Sequence, residues 1–326
     1  MLLRSTVNPA ASWPPALDAT CAAVTTLPAR LLVGVSGGLD SSVLLDALVL
    51  SGRRPIVVHF DHGWRSESRE DALFVEGLAA SYGLAFLGER SSGDRAPSEA
   101  TARKRRYAFF ARAARATDCS DLALAHHAED QVETLLLQLL RGAGSHARGM
   151  RETEVRDGLR LHRPFLWLER SRIREHARAR ALRWREDRTN EDRRYLRNRV
   201  RHELLPFLEE RFSPHVRRSL LRFCRIRIAE EEWMTELVRE TAEGDSLSIS
   251  ELRDSPLGRQ RRLVHLWLRR QGVPDISLAD VESVRRLAHG KRRRGEAPLT
   301  AGWNAVRQDG ELCLQRPGSP CASINI

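Results

Sequence analysis

Residues 36 to 42, Ser-Gly-Gly-Leu-Asp-Ser-Ser, follow the apolar run LLVGV (31–35) and lead into the helical pattern SSVLLDALVL (41–50). Gly37 and Gly38 carry no side chain and tolerate positive φ, so successive backbone N–H groups there can converge on an anion at a helix N-terminus. Ser36, Ser41 and Ser42 add hydroxyl donors. That is chemistry for phosphate. Neither the G-x-x-x-x-G-K-[ST] mononucleotide loop nor the G-x-G-x-x-G dinucleotide pattern is present. Asp40, beside the nest, would repel phosphate unless a divalent cation sat between them, which implies Mg²⁺; the alternative is an aspartate that only charges a helix N-terminus.

A second set of reactive side chains stands at residues 126 to 133. His126 and His127 end an apolar run, and Asp130 and Glu133 then fall at i and i+3, on one face of the following helix. Two acidic groups would thus share one mouth with the glycine loop. The competing readings are a helix-terminal charge for Asp130 and buried, hydrogen-bonded roles for the histidines. No H-E-x-x-H zinc pattern occurs.

These residues need a scaffold, and the chain supplies a repeating one. Short apolar runs at 31–35, 55–60, 84–87 and 121–125 read as strands buried on both faces, separated by helical patterns at 41–50, 68–83 and 98–118. Ser98 is the expected N-cap of the last, and Gly83 closes the one before. Alternation of this kind predicts an α/β fold, a doubly wound parallel sheet with ligands at the carboxyl ends of its strands. From about residue 169 arginine-rich helical stretches take over, and APLTAGWNAVRQDGELCLQ (297–315) reads as two strands around Asp309-Gly310. The expected division is an N-terminal arm (1–28), frayed or lightly docked, a catalytic domain (29–211), a smaller and mainly helical domain ending in a strand pair (212–317), and a tail (318–326).

Composition bounds the partners. The 326 residues carry a net charge of +11, and all but Lys104 and Lys291 of the 54 basic residues are arginine. Arginine binds phosphate through two parallel donors, so a polyanionic partner is expected; an arginine-biased proteome would explain the choice of arginine but not the excess charge. Cys21, Cys119, Cys224, Cys313 and Cys321 are scattered without C-x-x-C spacing, which argues against a disulfide framework or a metal cluster and for reduced cytosolic thiols. No apolar run reaches the roughly 20 residues of a membrane span.

S-G-G-x-D-S directly after the first strand resembles the pyrophosphate loop of the PP-loop ATP pyrophosphatases, which split ATP between its α- and β-phosphates. Four further segments are similar to one branch, the tRNA(Ile)-lysidine synthetases: VVHFDHGWRSESREDALFV (57–75), SEATARKRRYAFF (98–110), LALAHHAEDQVETLLLQLLRGAG (122–144) and the 163–206 stretch with its R-P, E-D-x-T-N and R-N-x-V-R succession. Because the chain ends near residue 326, the resemblance implies a short form without the last C-terminal domain.

The resemblance implies a two-step ligation. Cytosine O2 at the wobble position of a CAU anticodon attacks the α-phosphorus of ATP, and the ε-amine of free L-lysine then displaces AMP from C2. On this reading Ser36, Gly37, Gly38, Leu39, Asp40, Ser41, Ser42 and His59 bind ATP, with Mg²⁺ at Asp40 through the phosphates. His126, His127, Asp130 and Glu133 form the lysine and cytidine pocket. Asp130, assisted by Glu133, is the expected orienter and proton acceptor, and Arg197 stabilises developing charge. Arg103, Lys104, Arg105, Arg106, the arginines of 170–185, Arg201, Lys291 and Arg292 are candidate tRNA contacts, although each run alone also reads as a solvated face. A homodimer and a cytoplasmic location are compatible with all of this. Two rivals stand beside it: another PP-loop tRNA enzyme such as a thiolase, which would need cysteine chemistry, and a non-catalytic tRNA-binding protein.

Overall fold

A computed structural model describes residues 15–63, 68–91, 99–144, 147–186, 192–290 and 293–318. The chain divides into two compact units, Met1–Leu137 with Gly149–Arg222, and Gln138–Arg148 with Phe223–Ile326. The second boundary thus falls some ten residues beyond the expected one, and a short internal piece joins the second unit. Among the described residues no helix is long and apolar enough to cross a membrane.

The first unit is built on a six-stranded sheet: β1 (Leu32–Gly34), β2 (Ile56–Asp61), β3 (Phe86–Arg90), β4 (Asp121–Ala123), β5 (Thr153–Arg156) and β6 (Leu159–His162), in the order β3-β2-β1-β4-β6-β5. All neighbours are parallel except β5, which pairs antiparallel with β6. That hairpin is absent from the sequence reading. It turns on Asp157 (φ 52°) and Gly158 (φ 77°), the pair of left-handed residues that a two-residue type I′ hairpin requires.

Residue alternation along β1 explains the two covered faces. Leu31, Val33 and Val35 pack with α1 (Pro15–Val24), α2 (Leu39–Leu50), α3 (Ser68–Ser81) and α6 (Arg170–Ala179). Leu32, Val58, Leu122 and Leu161 face the other way, onto Tyr107, Phe110 and Ala113 of α4 (Glu99–Ala116). α5 (Ala128–Leu140) buries Val132, Leu136 and Leu137 against Val200 and Leu205, which lie in the run from α7 (Leu196–Arg199) through a π-helical turn (Val200–Leu204) to α8 (Leu205–Arg211).

The expectation of a loosely held arm needs correcting for its described part. Leu17, Cys21 and Val24 of α1 are buried in the core, and Thr20 Oγ1 lies 2.6 Å from Nδ1 of the buried His176. Apolar residues at three- and four-residue spacing gave α1 a face to bury, and α2 and α6 supply the partner. The rest of the arm, Ser98, Lys291, Arg292, Cys321 and nearly all of the tail lie outside the described residues.

α9 (Val216–Glu236) runs from the first unit into the second. There β7 (Leu247–Ser248), β8 (Gly295–Pro298), β9 (Asn304–Gln308) and β10 (Glu311–Gln315) form an antiparallel sheet in the order β7-β10-β9-β8. Its core is closed by α10 (Ile249–Asp254), α11 (Leu257–Arg270) and α12 (Leu278–His289), around the fully buried Trp267. The expected strand pair is β9–β10, turning at Asp309 (φ 50°) and Gly310 (φ 85°).

Candidate active site

In the order β3-β2-β1-β4, successive connections leave β1 in opposite directions, and a crevice forms at the carboxyl ends where they part. A cavity of about 350 Å³ occupies that crevice. It is lined by Ser36, Gly38, Asp40 and Ser41 of the glycine loop, by His59 and Asp61 of β2, by His126 beyond β4, and by Arg106 of α4.

The loop is held in a cradle geometry by its own side chains and by a strap. Gly37 has φ +89°, a conformation that favours glycine, and a Cβ there would crowd Val75 Cγ2 at 3.3 Å. Ser41 Oγ accepts from the Ser36 N–H at 3.1 Å and donates to the Gly38 carbonyl at 3.1 Å. The Arg185 N–H donates to the Gly37 carbonyl at 2.9 Å. The Arg185 side chain anchors this crossing segment to Glu70 and Asp71 of α3. A trans peptide points its N–H away from its carbonyl, so this bond fixes which way the Gly37–Gly38 peptide faces. The first N–H groups of α2 have no intrahelical acceptors and begin at this turn.

Two buried ring nitrogens at the cavity lack partners among the described residues. His59 donates or accepts through Nδ1 to the Val35 carbonyl at 2.8 Å, leaving Nε2 without a hydrogen bond, and His126 Nδ1 is likewise bare. Burial, reinforced by nearby arginines and opposed by Asp130, pushes the His126 pKa down to about 3, so its ring is neutral at pH 7.

Beside the cavity, α2, α5, α6, α7 and the π-helical turn bring together four carboxylates and three arginines. Asp40 accepts from Arg170 Nε at 3.1 Å and Nη2 at 3.3 Å. Asp130 accepts from the His127 N–H at 3.0 Å and from Arg197 Nη2 at 2.8 Å. Glu133, only 1% exposed, accepts from Arg197 Nε at 2.8 Å and from Arg201 Nε at 2.6 Å. Glu129 accepts from His127 Nδ1 at 3.0 Å and caps the Arg170 N–H. Burial would raise the Asp130 carboxyl, but the His127 and Arg197 charges hold it well below the carboxylate range. Burial would lower His127, yet Asp130, Glu129 and Asp40 together raise it.

The structure therefore gathers Asp40, His127, Asp130, Glu133 and Arg197 in one place, with His59 and His126 on the cavity wall. Ser42 is buried one turn into α2, its hydroxyl without a partner among the described residues. Arg201, expected at the tRNA backbone, pairs with Glu133 at 2.6 Å. Arg103 and Arg106 lie against the Tyr107 ring at 5.1 and 5.9 Å, joined there by Arg156 of β5 at 4.4 Å. Arg105 donates to Ser91 Oγ, and Lys104 is exposed. Sequence reasoning missed Glu129, and it placed Arg170 and Arg185 only among the candidate tRNA contacts. All three lie within quoted motif segments, but nothing local says that they meet.

Asp40 suits Mg²⁺ held in part by a substrate. Among the described residues no cluster of three His, Cys, Asp or Glu side chains could hold a metal on its own, and Mg²⁺ characteristically takes one or two carboxylates plus phosphate oxygens. The described cysteines do not line the cavity; burial pushes the Cys21 and Cys224 thiols up to about 11 and 12, away from nucleophilic form.

Comparison with known proteins agrees in both units. Residues 18–208 match the PP-loop domain family, and residues 247–313 match the TilS substrate binding domain. A tRNA(Ile)-lysidine synthase of Synechococcus sp. is 36% identical over 79% of this chain and 82% of its own length. Those of Geobacter sulfurreducens and Thermus thermophilus are 36% and 38% identical over 88% of this chain, which spans only 65% and 57% of their lengths. A solved U34-tRNA thiolase of Methanococcus maripaludis superposes with a TM-score of 0.53 at 14% identity, over 64% of this chain and 78% of its own, a likeness of fold alone.

Proposed function

Since the chain belongs to the tRNA(Ile)-lysidine synthase family, we propose that it joins free L-lysine to C2 of the wobble cytidine in the CAU anticodon of tRNA(Ile), converting ATP to AMP and pyrophosphate. The observation that carries this reading is the convergence, at one sheet edge, of a glycine cradle with Asp40 at its mouth and an arginine-paired set of carboxylates. Each piece answers one requirement of the reaction.

Cytosine O2 is a poor leaving group. Its attack on the α-phosphorus of ATP forms the O–P bond, expels pyrophosphate and makes that oxygen part of a good leaving group. The cradle N–H groups would bind the phosphates, and Arg197 would offset charge on the adenylated base. Mg²⁺, held by Asp40 with the phosphates, would supply charge neutralisation there. To bring its O2 to the α-phosphorus, the wobble nucleotide would have to be extruded from the anticodon stack.

In the second half, the lysine nitrogen forms a bond to C2 and the C2–O bond breaks with release of AMP. The amine must arrive oriented, having given one proton to solvent, and the second proton, shed as the C–N bond forms, leaves to solvent or with AMP. Asp130 and Glu133 would take up the ammonium in exchange for Arg197 and Arg201. The depressed proton affinity of Asp130 supports the orienting part of its expected role and argues against the proton-accepting part. The arginines around Tyr107 would meet tRNA phosphates.

The test incubates the purified protein with ATP, Mg²⁺, labelled lysine and tRNA(Ile) bearing CAU. Label entering tRNA in step with AMP is the expected result. AMP without label would mean a different acceptor. No AMP at all would leave a tRNA-binding protein without catalysis.

A further inference from the structure

We propose that Arg170 is a phosphate-binding residue of the nucleotide site: its guanidinium, held on Asp40 in this structure, moves to the pyrophosphate end of ATP when the Asp40 carboxylate engages the magnesium-bound triphosphate. The inference rests on the ATP-dependent reading above.

α2 and α6 run side by side in the same direction and are joined at two levels. Asp40 pairs with Arg170 and Asp46 pairs with His176, each across the same separation of 130 residues. The two levels differ in kind. Asp46 and His176 are wholly buried and 2.7 Å apart, with Arg180 and the Tyr82 hydroxyl completing the aspartate's partners. The Arg170 side chain is 42% exposed and that of Asp40 is 24% exposed, at the mouth of the cradle. The upper level is therefore not what holds α6 in place. Its backbone end is secured separately, because the Arg170 N–H donates to Glu129 at 3.2 Å. The residue is fixed by its main chain and exchangeable at its side chain.

Exchange has one direction open. A cation on Asp40 would displace the guanidinium, and the two other carboxylates nearby are already engaged. Glu129 holds His127 Nδ1 and the Arg170 N–H; Asp130 holds the His127 N–H and Arg197. A displaced, half-desolvated guanidinium must find another anion, and the phosphates in the cradle are adjacent. The planar fork that now spans both Asp40 oxygens matches two phosphate oxygens equally well. In this structure Arg170 would neutralise a carboxylate that faces an anion site, and with nucleotide bound it would neutralise the nucleotide.

The test compares binding of ATP with Mg²⁺ and binding of AMP by titration calorimetry in the wild type, Arg170→Ala and Arg170→Lys. The alanine variant is expected to bind ATP at least about tenfold more weakly and AMP within about twofold of wild type, with lysine restoring part of the ATP affinity through charge alone. A residue that only clips Asp40 gives the opposite sign: freeing the carboxylate leaves ATP binding unchanged or tighter, and that result overturns the inference. Should the alanine variant not fold, Arg170→Lys carries the comparison alone, with weaker ATP and unchanged AMP binding expected. A wild-type protein that binds no ATP would overturn the ATP-dependent reading itself, and this inference with it.

Discussion

Asp40 and Asp46 stand on the same helix, face the same partner helix and each meet a basic side chain of it, yet they belong to different kinds of structure. Asp46 is entirely buried and accepts from His176, Tyr82 and Arg180, so every lone pair that burial deprives of water has a donor. Burial would raise its carboxyl, but these donors, led by His176, hold it below the usual range. Asp40 has one fork of donors and an open side. The difference separates an ion pair that maintains the fold from one available for exchange. Chemical type is the same in both; satisfaction and exposure distinguish them.

Crossed substitutions give the largest effects. Asp40→Asn should lower AMP formation by roughly 10²–10³-fold while leaving urea stability within about 0.5 kcal/mol. Asp46→Asn should reverse that pattern, losing about 2–4 kcal/mol because the buried His176 and the Tyr82 hydroxyl lose the carboxylate that partners them, with turnover of the folded fraction within a few-fold of wild type. Equal losses of stability in the two variants would erase the distinction. Both are read from urea unfolding and AMP release on the same preparations.

The adjacent histidines sharpen the comparison by pH. His126 has a lowered folded-state pKa, so its contribution to stability is fully present above the unfolded value near 6.5 and is lost as pH falls toward about 3. His127 has a raised one, so its contribution is present below about 6.5 and is lost as pH rises through the folded-state value. Urea midpoints between pH 5 and 7 should therefore respond in opposite senses: His126→Asn removes an acid-induced loss of up to roughly 1 kcal/mol per pH unit, and His127→Asn removes a stabilisation strongest at the acid end. Parallel responses would mean that the two rings share one environment.

What the sequence makes legible follows from how local each signal is. The glycine loop carries its geometry in consecutive residues, so the cradle and its place after β1 are readable directly. The i, i+3 spacing of Asp130 and Glu133 tells that they share a face, but not that Arg197 and Arg201 cover both, because those partners come from more than 60 residues away. The Asp40–Arg170 contact is of the same long-range kind. β5 and β6 are another case. Asp157-Gly158 is as clear a hairpin signal as Asp309-Gly310, but charged residues on β5, a largely exposed edge strand, hide the strand alternation around it.

The smallest effect tests whether surface arginines follow the exchangeable pattern of Asp40 and Arg170. Arg156 lies 4.4 Å from the Tyr107 ring, and its carboxylate contact, Asp157 at 3.7 Å, is 73% exposed. Such a pair is worth between zero and about 1 kcal/mol, so it holds the guanidinium weakly and leaves it open to a phosphate. Arg156→Ala should therefore keep stability within about 0.5 kcal/mol. It should weaken tRNA binding by a few-fold irrespective of anticodon sequence and reduce the slope of log affinity against log salt by about 1. An unchanged salt slope would assign Arg156 to packing against Tyr107, and would confine exchange to the mouth of the cradle.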